Sequence, residues 1–400
     1  MIPVEVALKR VLADLKPTAP EMVSLPAALG RVLADDVVAR VAHPPMDVSS
    51  MDGYALRAAD LAQVPATLAV IGESAAGRPF LGGVAEGQAV RIFTGAAIPA
   101  GADVVVMQED TTREGCNVIV NDAQPAGRHI RTKGLDFSPG TIGLKPGVLL
   151  GPRQIGLAAA MNVPWLTVRR RPRVAILSTG DEIAMPGEPL GPAQIVSSNG
   201  PALAALVTTL GGEAVQLGIA RDTRDSLTAM VEAAHGCDLL VTSGGASVGD
   251  YDLVQDVLAE QGLILDFWKI AMRPGKPLMF GRLKHVPVLG LPGNPVSALV
   301  CAYVFLAPML RAFQGLPSAV ETVPAVLGAP MRANDVRQDY SRASLQRRAD
   351  GQLVVIPHSR QDSAVISGLA AAQAFIVRPP HAPEALAGDP VTIIPLPEGF

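Results

Sequence analysis

The chain has 400 residues, 49% of them hydrophobic but only 4% aromatic, with a formal net charge of −4. That length exceeds what one apolar core usually serves, so several domains are expected, and the apolar share argues against disorder. No basic stripe with interleaved aromatics favours nucleic-acid binding, and three scattered cysteines, Cys116, Cys237 and Cys301, argue against a disulfide framework or a cysteine-based zinc site.

In chain order, Met1-Ile2-Pro3-Val4-Glu5 lacks the basic-then-apolar pattern of a signal peptide. Val4, Leu8, Val11, Leu12 and Leu15 share one helical face, and a second amphipathic stretch spans 25–33. Between 68 and 131 the texture changes. Segments 67–71, 89–93, 103–108 and 117–120 are short, rich in Val and Ile, and separated by Gly and Pro, which predicts a compact β domain. Pro152 suits a first helical turn, so a helix is expected there.

From Arg173 strands and helices alternate: strands at 174–177, 214–219, 238–242 and 286–289, helices at 201–210, 226–234, 253–261 and 296–310. Continuous apolar strands between helices predict a parallel sheet covered on both faces. The run 296–310 is shorter than the ~20 residues a membrane span needs and reads as a buried helix, so a soluble cytoplasmic protein without membrane contact is expected. After about residue 314 the texture is β again, with Ala349-Asp350-Gly351 as a hairpin turn. The expected fold is α/β multidomain. An elongated, partly helical amino-terminal domain (1–45 with 140–170) carries a β-rich insertion (46–139). A central doubly wound, mostly parallel α/β domain (171–316) precedes a small carboxyl-terminal β-barrel domain (317–400).

In an open parallel sheet, ligands lie beyond the carboxyl ends of the strands. Four loops there carry unusual residues. Ser178-Thr179-Gly180-Asp181-Glu182 offers hydroxyls and acids that can bind a polar ligand or hydrated metal, although alone it could be a polar turn. Ser197-Ser198-Asn199-Gly200 precedes a helix, and taken alone capping is the better reading. Thr242-Ser243-Gly244-Gly245-Ala246-Ser247-Val248-Gly249-Asp250-Tyr251-Asp252 has three glycines and three hydroxyls, suited to backbone contact with phosphate, yet it is no P-loop. Gly290-Leu291-Pro292-Gly293-Asn294-Pro295 is stiffened by two prolines, as the wall of a pocket would be. Lys269, Arg273 and Lys276 lie on a Pro/Gly-rich loop ending in Pro277. Such cations suit a tetrahedral oxyanion or phosphate, or else form a solvated surface.

These segments in this order resemble the molybdopterin molybdenumtransferase family. Ser50-Met51-Asp52-Gly53-Tyr54-Ala55, Arg91-Ile92-Phe93-Thr94-Gly95-Ala96 and Pro99-Ala100-Gly101-Ala102-Asp103 resemble its amino-terminal signatures, so the likeness covers nearly the whole chain. The resemblance implies a molybdopterin-binding α/β domain in a homodimer. It further implies cleavage of adenylylated molybdopterin with release of AMP and insertion of molybdenum from molybdate, dependent on Mg2+ or another divalent cation. Asp52, Thr94, Asp136, Glu182, Asp222, Asp252, Lys269 and Lys276 match catalytic positions, with Glu182 and Asp222 as metal ligands. Thr179, Gly180, Asp181, Ser198, Asn199, Ser243, Gly244, Gly245, Ser247, Gly249, Asp250, Pro292, Gly293, Asn294 and Pro295 match the substrate loops. Arg273, Lys276, Pro277, Arg337 and Ser363 match the molybdate pocket. The pterin adenylyltransferase and molybdoenzyme apoproteins are the implied protein partners. Arg273 stands where the family usually has lysine, Leu135 where it often has an acid, and 367–372 is less polar than its counterpart.

Without the resemblance, Asp52 reads as a turn residue, Thr94 as a strand-end hydroxyl, and Asp136 and Asp222 as surface acids. The six histidines, His43, His129, His235, His285, His358 and His381, show no metal-ligand spacing. Two rival readings are a pterin adenylyltransferase, which the flanking regions 1–170 and 317–400 speak against, and a non-catalytic dimeric scaffold.

Overall fold

The computed structural model describes residues 1–244 and 253–396. Gly245, Ser247, Gly249, Asp250 and Asp252 therefore lie outside the described residues. The chain divides into two compact units, one of Met1–Glu21, Gly30–Val32 and Arg169–Phe400, the other of Met22–Leu29 and Leu33–Val168.

In the first unit, helix α1 (Val4–Leu12) leads to the α/β layer through its buried face of Val4, Ala7 and Val11. In the second unit, strands β1 (Gly53–Leu56), β2 (Ala66–Ser74), β3 (Gln88–Ile92), β4 (Val104–Met107), β5 (Thr111–Glu114) and β6 (Asn117–Val120) form one mixed sheet in the order β4-β1-β3-β2-β6-β5. Its buried face gathers Leu56, Leu68, Val104, Val106, Val118 and Val120. A separate apolar core in the same unit joins Leu33, Val37, Phe137, Leu150 and Val168 with helix α2 (Pro152–Ala160), where Pro152 occupies the first turn as expected. The expected helix at 25–33 is only a 3-10 turn, Leu25–Ala28. Pro26 fits its first turn, and Gly30 at φ 72° turns the chain away before a second turn can form.

The α/β layer of the first unit contains β7 (Arg173–Thr179), α3 (Asn199–Thr209), β8 (Glu213–Ala220), α4 (Arg224–Ala233), β9 (Leu239–Ser243), α5 (Leu253–Glu260), β10 (Leu263–Trp268), β11 (Met279–Leu283) and β12 (Val286–Leu291). Their order is β8-β7-β9-β12-β11-β10. The first four are parallel; β11 runs antiparallel to both its neighbours, β12 and β10, so the parallel sheet becomes a mixed one at this edge. Alternation along β7 shows why both faces are covered. Val174 and Ile176 pack on one side with Leu203 and Val207 of α3, while Ala175 and Leu177 pack on the other with Leu227 of α4 and Val257 of α5.

The apolar run becomes one helix, Pro295–Phe313, long and apolar enough to cross a membrane, but 72% of its most apolar window is buried inside the protein. It comprises α6 (Pro295–Cys301), a π-helical turn at Ala302–Leu306 and α7 (Ala307–Phe313). The π turn directly precedes Pro308, which cannot donate an i→i−4 bond, a common setting for such a bulge.

Strands β13 (Val323–Leu327), β14 (Gln338–Arg347), β15 (Leu353–Pro357), β16 (Ala374–Arg378) and β17 (Pro390–Pro395), with the short helix α8 (Ile366–Ala370), follow. They pair in the order β14-β15-β13-β17-β16, and β16 pairs back onto β14, which closes a five-stranded barrel. A two-residue strand, Met272–Arg273, adds to β14 and ties the cationic loop to this barrel.

Candidate active site

The carboxyl ends of β7, β9 and β12 lie side by side, so their loops meet. β7 and β9 end in small polar residues that remain inside the fold: Ser178, Thr179 and Ser243 are all at most 4% exposed. Gly244 has φ 98°, and a Cβ there would fall 2.4 Å from the Thr179 carbonyl oxygen. Glycine is thus required where the β7 and β9 loops touch through their backbones.

Asn199 binds these loops together. Its Nδ2 donates to Ser243 Oγ at 2.8 Å and to the Gly293 carbonyl at 2.7 Å. The helix-capping reading does not hold: Ser198 makes no side-chain cap bond, and Asn199 already belongs to α3. Asn199 Oδ1 and Thr179 Oγ1 are buried and have no partner among the described residues. A buried polar atom left so costs about 1–3 kcal/mol, and both atoms belong to residues that line one cleft. The cleft they face has a volume of about 390 Å³. Its lining includes Thr179, Glu182, Ser198, Asn199, Ser243, Gly244, Pro277, Pro292, Gly293, Asn294 and Pro295.

A second cleft of about 710 Å³ adjoins it, and Pro277 and Ser297 line both. This one holds Arg273, Lys276, Pro277, Arg337 and Ser363 together, as well as Arg332, Arg342, Ser359 and Gln361. The loop from Met272 to Pro277 is pressed against the long helix, because Gly275 (φ 113°) leaves no room for a Cβ, which would lie 2.3 Å from Cys301 Sγ. Arg273 is already engaged: its guanidinium donates to Asp339 at 2.9 Å, Asn334 at 3.0 Å and Asp335 at 3.1 Å. Arg337 donates to Asp335 at 2.7 Å. The Arg337 bonds and the nearby Arg273 charge hold the Asp335 carboxyl well below the usual carboxylate range. Lys276 and Arg332 form no ion pair among the described residues, so their charges remain open to an anion. Asn294 Nδ2 donates to Ser363 Oγ at 3.0 Å, linking the proline loop of the first cleft to the wall of the second.

Lys269 departs from the sequence expectation. It lines neither cleft, and its ammonium lies 3.8 Å from the centre of the Trp268 ring, a cation–π contact. Sequence reading also missed Arg332, Arg342, Ser359 and Gln361. They come from a region legible only as β texture, scattered over one strand and two loops, with no shared spacing to mark them.

Among the acids, Glu182 lines the first cleft, and Asp181 sits beside it. The Asp181 carboxylate accepts from the Asp222 amide at 3.4 Å and lies 4.0 Å from Arg221, so the loops after β7 and β8 are joined. Among the described residues no group of three His, Cys, Asp or Glu side chains is placed to hold a metal ion.

Asp52, Thr94 and Asp136 belong to the second unit. Asp52 Oδ1 accepts from both the Thr94 amide (2.7 Å) and the Thr94 hydroxyl (2.8 Å). Those two donors hold its exposed carboxyl below its ordinary value, with Arg91 adding a smaller effect. Asp136, with its amide on the His43 carbonyl, lines a cleft of about 620 Å³ with His43, Gly95 and Arg131.

A doubly wound layer whose strand-end loops form a polar cleft next to a cationic barrel pocket defines a ligand-binding α/β protein. In keeping with this, residues 175–312 match the family model described as "Probable molybdopterin binding domain". Residues 2–162 and 324–396 match the models for the MoeA N-terminal region (domain I and II) and the MoeA C-terminal region (domain IV). The molybdopterin molybdenumtransferase of Haemophilus influenzae is 36% identical over 99% of this chain and 98% of its own length. Molybdopterin molybdenumtransferase 2 of Mycobacterium tuberculosis is 38% identical over 95% and 96%. Two solved structures of the molybdopterin biosynthesis MoeA protein from Pyrococcus horikoshii, 33% and 29% identical, match with a TM-score of 0.85 over 99% of this chain and 99% and 100% of theirs. The chain belongs to the molybdopterin molybdenumtransferase family.

Proposed function

We propose that this protein inserts molybdenum from molybdate into adenylylated molybdopterin, releasing AMP and completing molybdenum cofactor. The observation that carries the reading is the shared wall. Among the described residues, one cleft offers buried, unpartnered hydrogen-bonding atoms, the adjoining one offers cations free of carboxylates, and Pro277 and Ser297 border both. A small anion and a nucleotide-linked pterin can thus be held next to each other in one unit.

In this reading Thr179, Ser243, Asn199 and the Gly293-Asn294 turn bind the nucleotide-linked pterin. Lys276 and Arg332 contact the oxyanion, with Arg273, Arg337, Pro277 and Ser363 as the frame around it. Cations at fixed positions stabilise the charge that develops when the phosphoanhydride breaks. Glu182 and Asp222 fit the protein's share of a divalent cation site. They are exposed carboxylates on loops joined through Asp181, and Mg2+ is commonly held by one or two carboxylates plus substrate phosphates. When bound, the cation would neutralise phosphate charge. Asp52, Thr94 and Asp136 of the second unit are read as further catalytic groups from the family resemblance, and Gly245, Ser247, Gly249, Asp250 and Asp252 as the continuation of the phosphate loop. The same reading includes the four-domain division, a homodimer in the cytoplasm, and exchange of pterin with the adenylyltransferase and molybdoenzyme apoproteins.

The test is AMP release from adenylylated molybdopterin, with and without molybdate, for the native chain, Glu182→Ala and Asp52→Ala. The reading expects molybdate-stimulated release, falling about 10²-fold or more in each variant, the scale of a lost catalytic group. Near-native rates in both would remove those acids from the mechanism. Formation of adenylylated pterin and pyrophosphate from ATP and molybdopterin, with no AMP release, would make the protein the adenylyltransferase instead.

A further inference from the structure

Arg342 sits in β14, only 1% exposed, yet it forms no salt bridge among the described residues. Its guanidinium is spent on one loop. It donates to the carbonyls of Arg360 (3.0 Å), Asp362 (3.0 Å) and Val365 (2.8 Å), and to Gln361 Oε1 (3.4 Å). The Arg342 backbone reinforces this: its amide donates to Gln361 Oε1 at 3.0 Å, and its carbonyl accepts from Gln361 Nε2 and from the His358 amide, both at 2.9 Å. Burial lowers the guanidinium's proton affinity, and the Asp362 charge partly offsets this.

The loop's alternation gives these bonds a consequence. Ser359, Gln361 and Ser363 line the cationic pocket, while the carbonyls of Arg360 and Asp362, between them, bind Arg342. On the other side the loop is fixed by Asn294 Nδ2 on Ser363 Oγ (3.0 Å) and by the Val296 amide on the Ser363 carbonyl (3.3 Å). We propose that Arg342 is the positioning residue of the anion pocket: its guanidinium fork, with the Gln361 amide bonded back to Arg342 and to the His358 carbonyl, clamps residues 358–365 so that Ser359 and Ser363 face the bound oxyanion. A lysine would keep the charge but, as a single ammonium, could not span carbonyls three and five residues apart. The proposal rests on the molybdate reading for the identity of the anion, but the clamp itself does not.

The experiment uses the full-length chain, Arg342→Lys and Gln361→Leu. Hydrogen exchange of peptides covering 358–366 reads the clamp, and calorimetric titration with sodium molybdate and separately with AMP reads the two clefts. Arg342→Lys is expected to speed exchange in 358–366 at least tenfold and weaken molybdate at least tenfold. AMP affinity and exchange in β9 and β12 should stay within twofold. Gln361, more exposed, should act in the same direction more weakly, and it carries the test if Arg342→Lys fails to fold. Native exchange in 358–366 for both variants would overturn the proposal, as would weakened molybdate without faster exchange. If the native chain binds no molybdate, the functional reading fails, while the exchange result still decides the clamp.

Discussion

Asn199 and Asp335 show how single side chains set this site. Asn199 joins three loops through two hydrogen bonds, each with a net worth of about 1 kcal/mol. Asn199→Ala is expected to cost about 1–3 kcal/mol and to raise the KM for the pterin nucleotide more than it lowers kcat. Urea unfolding and steady-state AMP release check this, and native values in both would contradict it. Asp335 accepts from Arg273 and Arg337, so both guanidiniums that line the pocket are partly neutralised there. Its folded pKa is depressed, so its stabilising contribution is fully present above the unfolded value of about 3.9 and is lost only as pH falls through the lower folded value. Molybdate affinity should therefore show no titration from Asp335 between pH 5 and 8. Asp335→Asn, which removes the competing charge, should tighten molybdate several-fold by calorimetry at pH 7.

At the scale of elements, chemistry depends on where strands stop. Most strands and helices of the α/β layer were legible because apolar runs of β length alternate with amphipathic runs of helix length. The hairpin β10–β11 was not. Asp266 interrupts the apolar residues of 263–268, and Gly281-Arg282 interrupts those of 279–283, so neither shows the unbroken apolar run of the parallel strands. Lys269 looked like an anion ligand because sequence spacing carries no direction, and only the fold turns its ammonium onto Trp268. The Asn199 bridge was equally hidden, since an Asn before a helix looks the same whether it caps or reaches across loops. Close contact between elements also gives a stability prediction. Gly275→Ala puts a left-handed backbone and a Cβ–sulfur clash against the long helix, and should cost about 1–3 kcal/mol. The result should be a lowered thermal midpoint and weaker molybdate binding. A native midpoint would contradict the packing described.

For the molecule as a whole, burial decides reactivity. Cys116 is exposed, while Cys237 and Cys301 are buried and their thiol pKa values are pushed up by desolvation. Native protein treated with iodoacetamide should carry one label, on Cys116, by peptide mass spectrometry; labelling of Cys301 before unfolding would contradict the buried helix. The order of motifs along the chain made the family legible, because four strand-end loops and the Arg273–Pro277 segment recur in one sequence order. The barrel's share of the anion pocket was only partly visible, as Arg332 and Arg342 become neighbours of Lys276 only once β14 pairs with Met272–Arg273.

The polar cleft and the cationic pocket share Pro277 and Ser297, so occupying one should be felt in the other. Single-turnover AMP release from adenylylated molybdopterin, followed as molybdate is titrated into the native chain and into Lys276→Ala, measures that coupling. The expected result is a saturable rise in rate with molybdate that shifts to at least tenfold higher concentration in Lys276→Ala. A rate indifferent to molybdate, or a dependence untouched by loss of Lys276, would contradict it.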